Sequence, residues 1–120
     1  MNQQIYREQL LELWKHPLNK GTIENPSCEF KETNSFCGDE ITIQLTIKNK
    51  IVKDAKFHGA GCVISIAMAS LLTEEIKGKS LEEIKKINPE KIINSLGVEL
   101  NPVRAKCALI SLTALQKAIK

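Results

Sequence analysis

Aromatic side chains are scarce: one Trp, one Tyr and three Phe make up 4% of 120 residues. Aliphatic groups must therefore fill the core, and a hydrophobic content of 42% suits a globular chain rather than a disordered one. Long apolar runs are missing as well. The longest, CVISIAMASLL, has 11 residues, too few to span a bilayer. The N-terminal MNQQIYREQLLEL has neither the basic nor the apolar region of a secretory signal. These absences predict a cytoplasmic protein, with no membrane partner, whose thiols stay reduced. Blocks of five or more like charges are also absent, and lysines interleave with glutamates at a net charge of +3, which argues against a nucleic-acid partner. No internal repeat, low-complexity tract or linker divides the chain, so residues 1–120 are expected to form one domain.

What is present falls into periodic segments. In NQQIYREQLLELWKH, Ile5, Leu10, Leu13 and Trp14 recur at helical spacing, which predicts a first helix with these residues, Trp14 included, in the core. Pro17 stops it. CEFKE reads as a short strand. Ile41, Ile43, Leu45 and Ile47 alternate with Thr42, Gln44 and Thr46, giving a strand with one buried face. KNK turns the chain into IVKDAKFHG, with Ile51, Ala55 and Phe57 on one face. From Cys62 to Ile76 the pattern is helical and nearly all apolar, a buried helix with Met68 in the core that ends at Gly78. Ser80 with Glu83 has capping-box spacing for a short helix. Pro89 and Gly97 bracket another, and Asn101–Pro102 starts the last. Helix, antiparallel strands, then helices define an α+β fold with helices on one face of a small sheet.

Four cysteines, Cys28, Cys37, Cys62 and Cys107, stand in different contexts. A free cysteine is often a buried space-filler. Cys37 instead lies in a polar loop, two residues before Asp39 and separated from it by Gly38. In an extended segment those two side chains face one side. Cys62 follows GAG and opens a helix, where the dipole favours a thiolate. Cys107 falls in the second turn of the last helix, flanked by Arg104 and Lys106, and also fits a core stripe with Val103, Ile110 and Ala114. Cys28 has no activating context. Three thiols and one carboxylate suffice for a tetrahedral zinc site or half of an iron–sulfur diamond. No C-x-x-C pair occurs, so the spacing is not that of a zinc finger. His16 reads as a surface or capping group and His58 as a strand-edge group.

Taken together, three segments resemble the IscU/SufU/NifU-N-terminal family of iron–sulfur cluster scaffold proteins. They are CGDEITIQLTI, DAKFHGAGCVISIAMASLLTE and PVRAKCALISLTAL, each built around one cysteine; LELWKHPLNKG is similar to the family's N-terminal motif through Trp14, Pro17, Asn19 and Gly21. The resemblance covers nearly the whole chain. It implies a three-stranded antiparallel sheet covered by helices, with Cys37, Asp39, Cys62 and Cys107 forming the site.

The activity implied is assembly and transfer of a [2Fe–2S] cluster, fed with persulfide sulfur by a cysteine desulfurase and delivered to apo iron–sulfur acceptor proteins. Cys107 is the preferred persulfide acceptor and Cys62 the second choice. A hard carboxylate among soft thiolates weakens the set, which suits a scaffold that must release its cargo. The alternative is a SufU-like, Zn²⁺-dependent sulfur acceptor on the same four residues, an enzyme-like role. A third reading is a purely structural zinc domain. Lys106 stands where the scaffold type has His, as in the SufU-like type, whereas the 44 residues between Cys62 and Cys107 leave no room for the insertion of that type. Residues 100–104, Leu-Asn-Pro-Val-Arg, differ at two of five positions from the sequence an Hsp70-class chaperone recognises in the scaffold type, so Pro102 can serve simply as the first helical residue. A homodimer is left open.

Overall fold

The computed structural model describes residues 3–34, 38–95 and 101–119. Cys37 and Gly97 lie outside the described residues, as does the side chain of Ile5. Helix α1 (Gln3–Lys15) precedes three strands, β1 (Cys28–Asn34), β2 (Asp39–Lys48) and β3 (Ile51–Ala60). Helices α2 (Val63–Ile76), α3 (Leu81–Lys85), α4 (Pro89–Ser95) and α5 (Pro102–Ala118) follow. The strands form one antiparallel sheet in the order β1-β2-β3, so the α+β class and the three-stranded sheet expected from the sequence are both present.

Helices α5 and α2 pack on the sheet and on each other. Ile41, Ile43 and Leu45 of β2 and Ala55 and Phe57 of β3 are fully buried against them. Helix α2 is buried nearly all round, from Ile64 to Ile76, as its continuous apolar pattern predicts. Asn49 and Lys50 both take positive φ (55° and 62°), the geometry of a two-residue hairpin turn between β2 and β3.

Three details depart from the alternation rules. The register of β2 against β3 slips between Thr46 and Ile47: Thr46 faces Asp54 while Ile47 faces Val52. Lys53 is the extra residue of a bulge, and a bulge exchanges the two faces of a strand. Val52, rather than the expected Ile51, is therefore the fully buried residue at that end. Second, Thr42 and Gln44 are buried, so β2 is covered on both faces. The chain after α1 joins the outer edge of β3, where Phe57 N donates to Asn19 O (3.0 Å) and Gly21 N donates to Phe57 O (2.8 Å). To reach β1 on the opposite side of the sheet it must then cross the back face. There Ile23 N donates to Gln44 Oε1 (2.7 Å), and Gln44 Nε2 donates to Glu29 Oε2 (2.8 Å). A buried amide is stable only when satisfied in this way. Third, Trp14 is not core: it is 43% exposed. Helix α1 packs against α2 alone among the larger contacts, and that narrow seam takes Leu10 and Leu13.

The short helices are held by their ends. Glu83 N donates to Ser80 Oγ (3.2 Å) and Ser80 N donates to Glu83 Oε1 (3.2 Å), the reciprocal capping box expected from the sequence. The Ser80 backbone N–H and hydroxyl, both donating to Glu83 Oε1 (3.2 Å each), hold that carboxyl below its ordinary pKa. Its share of stability is therefore present above the unfolded pKa and is lost as pH falls through the lowered folded one. Ser80→Ala should lower stability by about 1 kcal/mol at pH 7. The deficit should shrink in acid, as compared by urea midpoints at pH 7 and pH 3. At α5, Arg104 N donates to Asn101 Oδ1 (2.8 Å) with Pro102 in the first turn, as predicted. Among the described residues no helix is long and apolar enough to cross a membrane.

Candidate metal and sulfur site

Asp39 opens β2 and is 1% exposed. It follows Gly38, whose φ of +69° makes the turn that aims the strand inward. On the neighbouring strand end the chain runs through Gly59 and Gly61 into Cys62, the N-cap of α2. Cys62 N donates to Asp39 Oδ1 at 3.1 Å. The carboxylate thus answers one of the open amides at a helix N-terminus and sits at the positive end of the dipole. Ser65, fully buried one turn on, donates to Cys62 O (3.0 Å).

Helix α5 brings the third member. Cys107 is buried with no exposed surface, and its Sγ is 3.9 Å from Asn34 Nδ2 at the end of β1, a contact sulfur's larger radius allows. One ligand atom from each of Asp39, Cys62 and Cys107 lies within 4.8 Å of the other two. Tetrahedral zinc, with Zn–S bonds of about 2.3 Å, sets its sulfurs about 3.8 Å apart, so a small side-chain adjustment suffices. The second carboxylate oxygen, Asp39 Oδ2, is buried and has no hydrogen-bond partner among the described residues. An anionic oxygen left bare in a dry site is unfavourable unless a cation meets it. Beside two sulfurs, that orphaned atom fits a metal ion or an iron–sulfur cluster.

The sequence therefore selected three residues that the fold brings together over long chain separations, while Cys37 lies outside the described residues. Cys28 is separate. It pairs with Leu45 at the opposite end of β1 from Asn34, which pairs with Asp39. Half-burial pushes its thiol pKa up, as befits an unreactive residue. His58 lies on β3 opposite Thr42 and is not part of the cluster. Of the expected core stripe on α5, Cys107, Ile110 and Ala114 are buried, but Val103 is exposed. Arg104 and Lys106 both lie on the exposed surface.

Two contributors had no signal of their own in the sequence: Asn34 and Ser65. Gly61, inside the noticed GAG, has a spatial reason. A Cβ there would stand 2.2 Å from Ser65 Oγ and 3.1 Å from Asp39 Oδ1. Both are side-chain ends that can move, so Gly61→Ala should fold while displacing the carboxylate. Zinc affinity, measured by competition with a chromophoric chelator, should fall by about tenfold or more, the loss typical of disturbed ligand orientation.

A three-stranded α+β domain with a carboxylate and two thiols gathered where β2, α2 and α5 meet defines a class of small metal- and sulfur-handling proteins. Residues 5–120 match the NifU-like N terminal domain, and the chain belongs to that family. It is 35% identical to the Bacillus subtilis protein named zinc-dependent sulfurtransferase SufU, over 96% of this chain and 89% of that one. It is 33% identical to the Thermotoga maritima iron–sulfur cluster assembly scaffold protein IscU, over 97% and 93%. A crystal structure of a putative iron–sulfur cluster assembly scaffold protein for the SUF system, from Fervidobacterium islandicum AW-1, superposes with a TM-score of 0.81 at 30% identity and full coverage of both chains. The first two alignments run over 134 and 132 residues, more than the 120 of this chain. Both relatives thus carry residues without a counterpart here. Shortness alone does not set this chain apart from the SufU relative any more than from that IscU relative.

Proposed function

We propose that this chain, acting as one domain, is a scaffold that builds a [2Fe–2S] cluster and passes it to apo iron–sulfur proteins. The cluster is cargo, held by Cys37, Asp39, Cys62 and Cys107. The observation that carries this reading is a buried carboxylate, Asp39, with one oxygen unpartnered among the described residues and a ligand atom within 4.8 Å of two cysteine sulfurs. Sulfur arrives as the persulfide of a cysteine desulfurase. A thiolate of this chain attacks the outer sulfur, and the desulfurase thiolate leaves. Such an attack needs access. Cys62 is half-buried and Cys107 fully buried, so we place first acceptance at Cys62 and retention at Cys107, the reverse of the order the sequence resemblance implied. Asn101 and Pro102 are engaged in starting α5, which supports reading residues 101–104 as a helix start rather than a chaperone contact.

A second reading, a zinc-dependent sulfurtransferase, is favoured by the donor set itself, since one carboxylate with thiolates is also a zinc site. When bound, zinc would hold those thiolates deprotonated, and the carboxylate would keep one position weakly bound. Anaerobic reconstitution with desulfurase, cysteine and Fe²⁺ separates the two. Growth of visible charge-transfer absorbance that survives Cys28→Ser and is lost in Cys37→Ser, Cys62→Ser and Cys107→Ser is the expected result. A colourless protein that retains zinc, yet speeds desulfurase turnover, would favour the second reading. Assembly lost in Cys28→Ser but kept in Cys107→Ser would refute the ligand set.

A further inference from the structure

We propose that Cys62 and Cys107 form a reductive pair that supplies the two electrons for releasing one sulfide from the bound persulfide. The proposal rests on the sulfur-acceptor reading above. Their sulfurs are within 4.8 Å of each other in the ion-free protein. The proposed bond closes that separation to the roughly 2.05 Å of a disulfide. Their positions give them different parts. Cys62 caps the start of α2, is half-exposed, and makes no side-chain capping bond. Cys107 is sealed in the second turn of α5 behind the Asn34 amide.

Once Cys62 carries an added sulfur, the thiol beside it among the described residues is the buried Cys107. Its thiolate attacks Cys62 Sγ, the inner sulfur. A bond forms between Cys107 Sγ and Cys62 Sγ, the bond from Cys62 Sγ to the outer sulfur breaks, and that sulfur departs with the electron pair as HS⁻. The two cysteine sulfurs supply two electrons and become a disulfide, while the sulfane sulfur is reduced to the sulfide level. Thiol–disulfide exchange follows the same displacement chemistry. An external dithiol then restores the two thiols for the next round. Sulfide is thus released beside Asp39, and the same dithiol that reopens the pair returns Cys62 and Cys107 as ligands.

Metal-free wild-type protein is loaded by two routes without added thiol: catalytic desulfurase with cysteine, and inorganic polysulfide. After rapid desalting, sulfide is measured colorimetrically, and thiol-alkylated protein is mapped by mass spectrometry. The expected result is release of sulfide with matching appearance of a peptide pair linking Cys62 to Cys107. Cys107→Ser should retain the extra sulfur on Cys62, with release slowed by about tenfold or more, while Cys28→Ser should behave as wild type. Circular dichroism checks that Cys107→Ser is folded, and the wild-type peptide map stands independently of any variant. Persulfide that persists on wild-type Cys62, or a disulfide from Cys62 to Cys37, overturns the proposal. Release from polysulfide-loaded protein that desulfurase cannot load would uphold the pair and refute the sulfur-acceptor function.

Discussion

Asp39→Asn should make the metal-free protein more stable and the metal-bound protein less so. The amide keeps an oxygen for the Cys62 N–H bond but removes a buried negative charge whose other oxygen has no partner. A buried charge lacking a counter-ion is destabilising, and neutralising it in place should recover about 1–3 kcal/mol. The opposite holds once a cation is present, because a carboxylate ligand binds it and an amide binds it poorly. Zinc affinity should drop by at least about tenfold, the effect of losing even an outer partner of a metal site. Urea titrations with chelator and with excess zinc should therefore show the order of the two proteins reversing. If Asp39 served only to cap α2, the asparagine would behave the same with and without metal.

Gly59→Ala should be among the most damaging single-methyl substitutions in the chain. The added Cβ would lie 1.9 Å from the backbone carbonyl oxygen of Glu40, its partner strand, and φ is +137°. Neither problem has a flexible side chain to absorb it. Strain at such a φ and overpacking against backbone each amount to about 1–3 kcal/mol, so a loss of about 4 kcal/mol is expected, with much of the protein insoluble on expression. Gly38→Ala is the control. Its φ is also positive, at +69°, but no described atom lies within 4 Å of the new methyl. It should lose only about 1 kcal/mol, the ordinary penalty of the left-handed region. Thermal unfolding of the pair separates the close approach from the backbone angle.

The hairpin, the buried α2 and the caps at Ser80 and Asn101 were legible because each depends on neighbours in sequence. Asp39, Cys62 and Cys107 were also singled out from local contexts, a loop, a helix start and charged flanks, and the fold brings these three together. The details that escaped are relations between distant segments. Val52 replaces Ile51 in the core because Lys53 bulges, and alternation has no means of registering an extra residue. Gln44 is buried because residues 19–27 return across the back of the sheet. Trp14 is exposed because α1 has a single broad neighbour. Asn34 and Ser65 enter the site only through β1–β2 pairing and the first turn of α2.

The meeting of β2, α2 and α5 at one point has a mechanical side. Asp39, Cys62 and Cys107 are far apart along the chain, and an ion or cluster bound to them would act as a removable cross-link closing two long loops. Such a link restricts the unfolded chain, by an amount that grows only slowly with loop length, and binding to the folded form alone stabilises it by mass action. Loading would therefore tighten the start of α5 against the sheet, and unloading would relax it. Under the proposed function, the protein after delivery would be a softer molecule than the one before it, and an acceptor that removed the cargo would also loosen the grip that held it.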